Sequence, residues 1–313
     1  MMTRNECARW LREQDSLCIL THRRPDGDTI GSAAALCLGL RHLGRKAFVL
    51  ANPEVTERYR FLLEGLTCEE VNPADTLICV DVASPGMLPK AFETLADRVT
   101  LRIDHHGSAT SFTPMELVEP DSASCAEIIW DLLQELDVTL DPALANALYV
   151  GVSTDTGCFR FANTTAHTFA AAAACMAAGG EIYRLNQLFF ETNSLSKLRL
   201  QSWIVNNMTL LREGQCAIVA IPRAVEEKLE VTEDDMDNIS NYPRSIAGVC
   251  MAATLRQTKW GETKLSVRAV PGWDAAAVCA HFGGGGHKGA AGGITTLSLD
   301  ETAAKLKEIM LML

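Results

Sequence analysis

The sequence predicts an α/β protein built from two domains. Its 313 residues exceed a typical single domain, and 48% of them are hydrophobic, which is enough for two ordinary cores. The first half alternates short β-rich apolar runs with helical stretches, the pattern of a parallel sheet covered by helices. A change in character near residue 213 divides the chain. We therefore expect a Rossmann-like domain over residues 1–190, a helical linker over 191–213 and a smaller α/β domain over 214–313.

Four apolar runs predict the strands of the first sheet, at residues 17–21, 47–50, 76–80 and 99–103. A helical face over residues 30–43 separates the first two runs and stops at Gly44, which suits a left-handed C-terminal cap. An amphipathic helix is expected over 122–136, and Pro142 opens another. An alanine-rich helix, capped within residues 163–165, ends at Gly179, and residues 194–211 are predicted to be helical.

The C-terminal part has a different order of elements. It predicts strands at residues 216–221, 249–255 and 264–270, with an acidic segment after the first of them. A helix over residues 274–281 leads into a glycine run at 283–286, and a final helix follows Asp300. These elements predict the second, smaller α/β domain.

The charge of the chain narrows the class of ligand. A formal charge of −11 and a pI near 5.2 argue against a groove for long duplex nucleic acid, because that affinity comes mainly from Lys and Arg neutralising many phosphates. A ligand with few phosphates is compatible with this charge. The 11 cysteines never form a CxxC pair, no apolar run is long enough for a membrane helix, and the N-terminus lacks a secretion signal. We therefore expect a cytoplasmic protein that does not contact a membrane.

Acidic and histidine residues occur where the predicted strands end. They are His22, Asp26 and Asp28 after the first strand, Asp81 at the end of the third, Asp104, His105 and His106 at the end of the fourth, and Asp155 after an apolar helix. In an open parallel sheet, ligands bind beyond the carboxyl ends of the strands. Separate loops would therefore bring these side chains to one crevice.

Four carboxylates brought together in this way require a cation. Each close pair would repel by roughly several kcal/mol at an effective dielectric constant of about 20. Two divalent cations would neutralise the four charges. Because nitrogen from His22 and His105 accompanies the carboxylate oxygens, the set suits Mn2+ better than Mg2+, with Mg2+ and Co2+ as alternatives. The sequence thus predicts a site for two divalent metal ions.

Each motif also has a structural interpretation. The Pro-Asp-Gly-Asp segment that contains Asp26 and Asp28 is common in turns. Asp81 could cap a helix, and Asp155 could be an ordinary loop acid. The adjacent histidines 105 and 106 are harder to explain structurally, and together the motifs favour a functional site.

The second unusual segment is a run of glycines followed by a histidine and a lysine, GGGGHKGAAG. Glycine loses more conformational freedom on folding than any other residue, so four in succession need a reason, and close approach of backbone N–H groups to an anion is the usual one. A flexible hinge is the structural alternative. Because a hinge needs no cationic or donor side chains, we predict phosphate binding by Gly284, Gly285, Gly286, His287 and Lys288.

Together these residues resemble the motifs of the DHH phosphoesterase family, in the subfamily that carries a DHHA1 C-terminal domain. HRRPDGD, DHHGS, GVSTDTG and GGGGHKGAAG occur in the order and spacing of that family, and the resemblance covers nearly the whole chain. It implies a DHH catalytic domain, a DHHA1 substrate-binding domain and catalysis in the cleft between them. Length and architecture are most similar to bacterial short-oligoribonucleotide exonucleases that also dephosphorylate 3'-phosphoadenosine-5'-phosphate.

The resemblance also implies which residues hold the metal ions. Two ions would share a water and lower its pKa. One ion would be held by His22, Asp26 and Asp81, and the other by Asp28, Asp81, His105 and Asp155, so that Asp81 bridges them.

The remaining site residues would contact the substrate or orient its neighbours. His106 would lie beside the phosphate as a hydrogen-bond or proton donor without binding metal, and Asp104 would orient one of the metal-binding histidines. Arg268 would recognise a substrate phosphate through its guanidinium group. Arg160 is either a further phosphate contact or part of a surface ion pair.

The expected reaction is hydrolysis of short oligoribonucleotides, including linear dinucleotides, to 5'-mononucleotides, and of 3'-phosphoadenosine-5'-phosphate to AMP. Two alternatives stay open: a hydrolase of inorganic pyrophosphate or polyphosphate, and a nucleotide-binding regulator without catalysis. The complete set of acidic residues favours an enzyme over a regulator. The expected partners are small nucleotides, and the sequence leaves a homodimer open.

Overall fold

The computed structural model describes residues 1–107, 111–236, 238–258 and 260–313. These residues divide into two compact units, Met1–Thr192 and Asn193–Leu313, each containing one six-stranded sheet. In the described ranges no helix is both long and apolar enough to cross a membrane. The predicted fold class, a Rossmann-like α/β unit with a parallel sheet followed by a smaller α/β unit, is confirmed.

The first unit contains the four predicted strands to within one residue at each end. Its helices and strands are α1 (Arg4–Glu13), β1 (Ser16–Leu20), α2 (Gly27–His42), β2 (Lys46–Leu50), β3 (Thr67–Cys68), β4 (Thr76–Val80), β5 (Val99–Asp104), β6 (Met115–Val118), α3 (Cys125–Glu135), α4 (Pro142–Asp155), α5 (Ala166–Ala177) and α6 (Ile182–Asn186). It also contains 3-10 helices at Glu57–Leu63, Pro85–Met87 and Lys90–Arg98, and a π-helical turn at Gln187–Glu191.

The order of strands in this sheet places the loops that carry the predicted site. The strands lie in the order β3-β2-β1-β4-β5-β6, and every neighbouring pair is parallel. This is the strand order of the Rossmann fold, in which the winding reverses between β1 and β4 and opens a crevice at their carboxyl ends. The segments that follow β1 and β4 therefore start side by side.

Both faces of the sheet are buried. In β1, Leu17 and Ile19 belong to a core shared with α1 to α4, whereas Cys18 and Leu20 face the core beneath the 3-10 helix Lys90–Arg98. Alternate residues of a strand point to opposite faces, so a strand covered on both sides must be apolar throughout. This is why the strands appear in the sequence as unbroken apolar runs.

Helices α2 and α4 approach closely at a glycine, which gives a stability prediction. A Cβ atom on Gly31 would lie 2.4 Å from the backbone oxygen of Ala147 and 2.8 Å from the nitrogen of Gly151. Because backbone cannot rotate away, we expect Gly31→Ala to lower the free energy of unfolding by about 2 to 3 kcal/mol in urea denaturation. Gly39→Ala on the same helix is the control, since its Cβ would meet the mobile end of the Leu133 side chain. An equal loss in both variants would contradict the backbone explanation.

The second unit contains a mixed sheet in the order β11-β12-β10-β9-β8-β7, in which β8 and β9 are parallel and the other pairs antiparallel. Its elements are α7 (Leu195–Asn207), β7 (Thr209–Leu211), β8 (Cys216–Ile221), α8 (Arg223–Lys228), β9 (Met251–Gln257), β10 (Thr263–Ala269), α9 (Ala275–Ala280), β11 (Gly285–Gly286), β12 (Ala290–Thr295) and α10 (Leu299–Met312). Short 3-10 helices occur at Arg212–Gly214, Asp234–Met236, Ile239–Asn241 and Pro243–Ser245.

The predicted helix over residues 194–211 is wrong at its C-terminal end. Ser194 caps the helix as its side chain accepts the N–H of Lys197, but the helix ends at Asn207. Thr209–Leu211 instead pairs antiparallel with β8 as an edge strand. Edge pairing of a short polar-flanked segment is decided by the neighbouring strand rather than by its own sequence.

The glycine run forms one arm of a hairpin. A Cβ on Gly284 would lie 2.5 Å from the carbonyl oxygen of Gly292, and a Cβ on Gly286 would lie 2.7 Å from the backbone of β12. Close packing against β12 therefore gives two of the glycines a structural reason that needs no ligand. His287 and Lys288 are exposed where the hairpin turns. Phosphate binding by this segment stays a prediction.

Candidate metal centre

The side chains predicted at the strand ends meet where the winding of the first sheet reverses. The structure brings together His22, Asp26, Asp28, Asp81, His105, His106 and Asp155. They form three overlapping sets of donor atoms, each within 4.8 Å: His22 with Asp26 and Asp81, Asp28 with His105 and Asp155, and Asp81 with His105 and His106.

Asp26 both caps a helix and faces the site. Its Oδ1 accepts the N–H groups of Asp28 and Thr29 at 3.0 and 3.2 Å, which begins α2 directly after the loop that follows β1. The same oxygen lies 3.5 Å from Nε2 of His22, and the side chain is 57% exposed. The Asp26 side chain therefore stabilises the start of the helix and also lies at the candidate metal centre.

Asp28 is buried against the start of another helix. Its Oδ2 accepts the N–H of Cys125 at 2.7 Å and its Oδ1 accepts the N–H of Ala126 at 2.9 Å, both in the first turn of α3. A helix N-terminus favours a carboxylate there. Oδ2 also lies 3.7 Å from Nε2 of His105. Helix α3 thus fixes the carboxylate in a position facing the histidine.

Asp81 lies at the centre of the cluster, and its two oxygens face different histidines. Oδ2 is 3.5 Å from Nε2 of His22, and Oδ1 is 3.6 Å from Nε2 of His105. Oδ1 is buried and has no hydrogen-bond partner within the described part of the chain. The backbone of Asp81 adopts a left-handed φ of 58°, which is uncommon outside glycine and is concentrated at functional sites. A buried carboxylate oxygen without a donor is what a cation would satisfy.

The hydrogen bonds of the two histidines direct their Nε2 atoms into the cluster. Nδ1 of His22 lies 2.8 Å from the carbonyl oxygen of Arg23, and Nδ1 of His105 lies 3.3 Å from that of Ser122. A carbonyl can only accept, so each Nδ1 carries a proton and donates it. Metal-binding histidines are typically held in this way, with the other nitrogen turned to the metal.

Asp155 completes the cluster from the last residue of α4, rather than from a position after the helix as predicted. Its Oδ2 is 3.8 Å from Nε2 of His105. Burial raises the pKa of Asp155 well above its ordinary value, and the charges of Asp26 and Asp81 raise it further. Burial and the neighbouring carboxylates raise the pKa of Asp28 in the same way. Without a cation, the folded protein disfavours the ionised form of these acids.

His106 is oriented by the aspartate two residues before it. Nδ1 of His106 donates to Oδ1 of Asp104 at 2.8 Å, and this hydrogen bond raises the pKa of His106 to about 9. Asp104 is fully buried, and its Oδ1 also accepts the backbone N–H groups of His105 and His106. The imidazole oriented by Asp104 is thus that of His106, and not that of a proposed metal-binding histidine as predicted, because His22 and His105 are held by backbone carbonyls. Ser108, in the same motif, lies outside the described residues.

These pKa shifts predict how stability changes with pH when metal is chelated. The pKa of His106 is higher in the folded protein than the ordinary value near 6.5, so its contribution is complete at low pH and is lost as pH rises through the folded pKa. The raised pKa values of Asp28 and Asp155 act in the same direction. We expect the free energy of unfolding to fall by about 1 to 2 kcal/mol between pH 6.5 and 8 in urea titrations with chelator. His106→Gln should reduce the slope, and a slope of opposite sign would contradict these shifts.

The residues predicted to bind substrate are not members of these donor sets. Arg160 is exposed, and its Nε donates to the carbonyl of Gly157 at 2.6 Å. Arg268, in β10 of the second unit, donates from Nε to Oδ1 of Asn241 at 3.0 Å. Within the described residues no carboxylate forms an ion pair with Arg268, and burial, with the charge of Arg244, lowers its pKa.

Sequence reasoning missed two residues that support the site. Asn52 donates from Nδ2 to Oγ1 of Thr21 at 2.9 Å and to the carbonyl of His22 at 3.0 Å, which fixes the loop after β1. Arg102 is buried within β5, two residues before Asp104 and on the same face of the strand. A charged residue inside an otherwise apolar strand was the available signal for Arg102, whereas nothing in the sequence marks Asn52.

The donors at the site fit a divalent metal ion. Imidazole nitrogens and carboxylate oxygens are both ligands that transition metals accept. The carboxylates repel one another, as the raised pKa values of Asp28 and Asp155 show, and a cation would remove this repulsion. The buried Oδ1 of Asp81 adds an acceptor that lacks a donor in the described residues. The arrangement can therefore hold metal at the carboxyl edge of the parallel sheet.

Comparison with known proteins gives similarity over nearly the whole chain. A family model described as the DHH family, N-terminal domain, matches residues 16–152. The bifunctional oligoribonuclease and PAP phosphatase NrnA of Thermus thermophilus is 30% identical over 294 residues, covering 93% of this chain and 87% of that protein.

Solved structures share the fold. An exopolyphosphatase-related protein from Bacteroides fragilis has a TM-score of 0.85 at 24% identity and covers 99% of this chain and 95% of its own. RecJ of Thermus thermophilus in complex with Mn2+ has a TM-score of 0.58 at 16% identity, covering 99% of this chain and 55% of that one. Because the family model matches the parallel sheet and a relative at 30% identity spans both units, the chain belongs to the DHH family.

Proposed function

We propose that the chain is a metal-dependent phosphoesterase that hydrolyses short oligoribonucleotides and linear dinucleotides to 5'-mononucleotides, and 3'-phosphoadenosine-5'-phosphate (PAP) to AMP. The observation that carries the proposal is the carboxylate of Asp81, whose two oxygens face His22 and His105 at the reversal point of the sheet. The similarity to an oligoribonuclease and PAP phosphatase over 93% of the chain supports the substrate class.

The proposed cofactor is a pair of Mn2+ ions. Two dications balance the four carboxylates, and the nitrogen donors favour a transition metal over Mg2+. When bound, such ions polarise a phosphate and lower the pKa of a coordinated water. The proposed ligands are His22, Asp26 and Asp81 for one ion, and Asp28, Asp81, His105 and Asp155 for the other.

His106 is the proposed proton donor. Its Nδ1 is committed to Asp104, so Nε2 is the nitrogen left to face a substrate. The hydrogen bond to Asp104 raises the pKa of His106 to about 9, which favours the protonated imidazole. It can therefore donate a hydrogen bond, and then a proton, to the leaving oxygen.

Arginines are the proposed phosphate contacts. Among the described residues neither Arg268 nor Arg160 forms an ion pair with a carboxylate, so the positive charge of each guanidinium group is available to bind an anion. Asn241 holds the Arg268 group from one edge, and a planar guanidinium can grip two phosphate oxygens at once. Exposed His287 and Lys288, with the glycines before them, would add contacts to a substrate end.

Hydrolysis of a substrate panel tests the proposal. The panel contains a ribodinucleotide, a five-residue RNA, a twenty-residue RNA, the matching five-residue DNA, PAP and pyrophosphate, each with Mn2+. We expect the ribodinucleotide and five-residue RNA to be cleaved faster than the twenty-residue RNA, with release of 5'-mononucleotide. Preference for pyrophosphate would support the inorganic pyrophosphatase alternative. Mn2+ binding without turnover of any substrate would support a nucleotide-binding regulator.

Arg268→Ala tests whether this arginine binds a substrate phosphate. If Arg268 binds a substrate phosphate, the variant should raise KM for the ribodinucleotide by about 10- to 100-fold, the effect of losing a charge-assisted contact of about 1.5 to 3 kcal/mol. The control is Arg223→Ala, since that arginine pairs with Glu227 on the exposed face of α8. Steady-state kinetics would contradict the assignment if both variants kept the wild-type KM.

A further inference from the structure

A fully buried arginine lies in the strand that ends at the candidate metal centre. Arg102 is in the middle of β5, and its side chain is only 2% exposed. Neighbouring strands lie on both sides of β5 in the parallel sheet. Placing a guanidinium group there is costly unless the charge is matched and hydrogen-bonded, and well-packed apolar residues would often be more stable. Stability alone therefore does not explain an arginine at this position.

The guanidinium group connects three segments around the site. Its NH1 donates to the carbonyl oxygen of Ala83 at 3.1 Å, two residues after the strained backbone of Asp81. NH1 also lies 3.6 Å from Oδ2 of Asp104, and NH2 lies 3.2 Å from Oε2 of Glu116. Arg102 thus contacts the loop after β4, the end of β5 and the adjoining strand β6.

This arrangement follows from the register of the sheet. Arg102 and Asp104 are two residues apart in one strand, so their side chains point to the same face. Glu116 is the residue of β6 that pairs with Arg102 across the ladder. The planar guanidinium can therefore reach both carboxylates with its two terminal nitrogens.

The two oxygens of Asp104 have separate partners. Oδ1 accepts Nδ1–H of His106 at 2.8 Å, whereas Oδ2 faces Arg102 and has no hydrogen-bond partner within the described ranges. The Asp104 side chain is fully buried, so its charge is not solvated by bulk water. Arg102 forms an ion pair with this oxygen at 3.6 Å.

We propose that Arg102 is a positioning residue, which holds the carboxylate of Asp104 so that His106 keeps its Nδ1–H bonded and its Nε2 directed at the substrate phosphate. The proposal rests on the function proposed above for His106. Glu116 is the counter-charge that lets the arginine be buried, and its other carboxylate oxygen accepts the N–H of Phe112. Arg102 should therefore act on turnover through Asp104, whereas Glu116 should affect mainly stability.

A double-mutant cycle tests this path. Arg102→Met should lower kcat for the ribodinucleotide by about 30- to 100-fold with KM changed less than about threefold, because orientation rather than substrate binding is lost. In the Asp104→Asn background, Arg102→Met should cause little further loss. Losses that multiply would overturn the path through Asp104. Glu116→Gln should retain kcat within about twofold.

Two further variants separate positioning from folding. Arg256 in the second unit is partly buried and pairs with two glutamates, so Arg256→Met is the control for loss of an arginine ion pair. We expect it to retain kcat while lowering the melting temperature. If Arg102→Met does not fold, Arg102→Lys is measured instead, with an expected loss in kcat of about fivefold or more because an ammonium cannot bridge both partners. Wild-type kcat in Arg102→Lys would overturn the proposal.

Nitrogen NMR gives a readout that does not need turnover. In metal-free protein at a fixed neutral pH, imidazole 15N spectra should show a hydrogen-bonded Nδ1–H for His106, identified by its absence in His106→Gln. Arg102→Met should shift this signal to that of a solvent-exchanging imidazole, whereas Arg256→Met should leave it unchanged. An unchanged His106 signal in Arg102→Met would overturn the proposal. Absence of turnover by wild-type protein, with the NMR shift present, would refute the proposed function alone.

Discussion

Asp81→Asn is expected to lower kcat for short oligoribonucleotides by about 10³-fold or more. Asp81 contributes donor atoms to two of the three overlapping sets, and its two oxygens are divided between His22 and His105. Loss of this carboxylate would remove a ligand from both proposed ions at once, and with it the positioning of phosphate and water. Asparagine tolerates the left-handed backbone at this position, so the loss should reflect charge rather than strain.

Asp75→Asn is the matched control for this experiment. Asp75 precedes the same strand, at the end opposite the site, and accepts a hydrogen bond from Ser16 at 2.6 Å. It should keep kcat within about threefold. Metal titration by calorimetry should also show weaker Mn2+ binding in Asp81→Asn than in Asp75→Asn. Activity of Asp81→Asn within tenfold of wild type would contradict the central position of this carboxylate.

His106→Gln is expected to lower kcat by about 10²- to 10³-fold while leaving Mn2+ binding close to that of wild type. The histidine belongs to one donor set, but its Nδ1 is engaged by Asp104, which suits a proton donor better than a ligand. General acid catalysis typically contributes about 10²- to 10⁴-fold. His42→Gln, which alters a half-exposed histidine paired with Asp141, is the control. A large loss of metal affinity in His106→Gln would instead make His106 a ligand.

Much of the first sheet was predictable because both of its faces are buried. Such strands are apolar throughout, and the four longest appear in the sequence as separate runs. Strands β3 and β6 were not predicted, since they have two and four residues and gain their structure by pairing at the sheet edges. Helix α1 was also missed, although Thr3 and Glu6 form a capping box that its sequence displays.

The second sheet was harder to predict for a different reason. Strand β12 contains two consecutive glycines, Gly292 and Gly293, and glycine is depleted in strands because it loses more backbone entropy there. In the structure a Cβ on Gly293 would lie 2.8 Å from Cα of Gly284, the residue before β11, and a Cβ on Gly292 would lie 3.0 Å from the carbonyl oxygen of Leu265 in β10. The same packing explains part of the glycine run, which the sequence alone had related to an anion.

The members of the candidate site were predictable from their positions at the ends of strands. The rule that loops at the carboxyl ends of parallel strands converge was sufficient to group the aspartates and histidines 22, 105 and 106. The orientation of each imidazole was not predictable, because the acceptors are backbone carbonyls of Arg23 and Ser122. Arg102 was missed because the partners of a buried charge are set by strand register, which the sequence does not display.

Stepwise addition of Mn2+ to metal-free protein, with hydrolysis of a ribodinucleotide followed at each step, tests the central claim most directly. The donor sets around Asp81 predict no turnover with chelator and turnover that rises as two equivalents of Mn2+ bind, with 5'-mononucleotide as the product. Hydrolysis at full rate with chelator present, or saturation with Mn2+ without any hydrolysis, would contradict a metal-dependent phosphoesterase at this site.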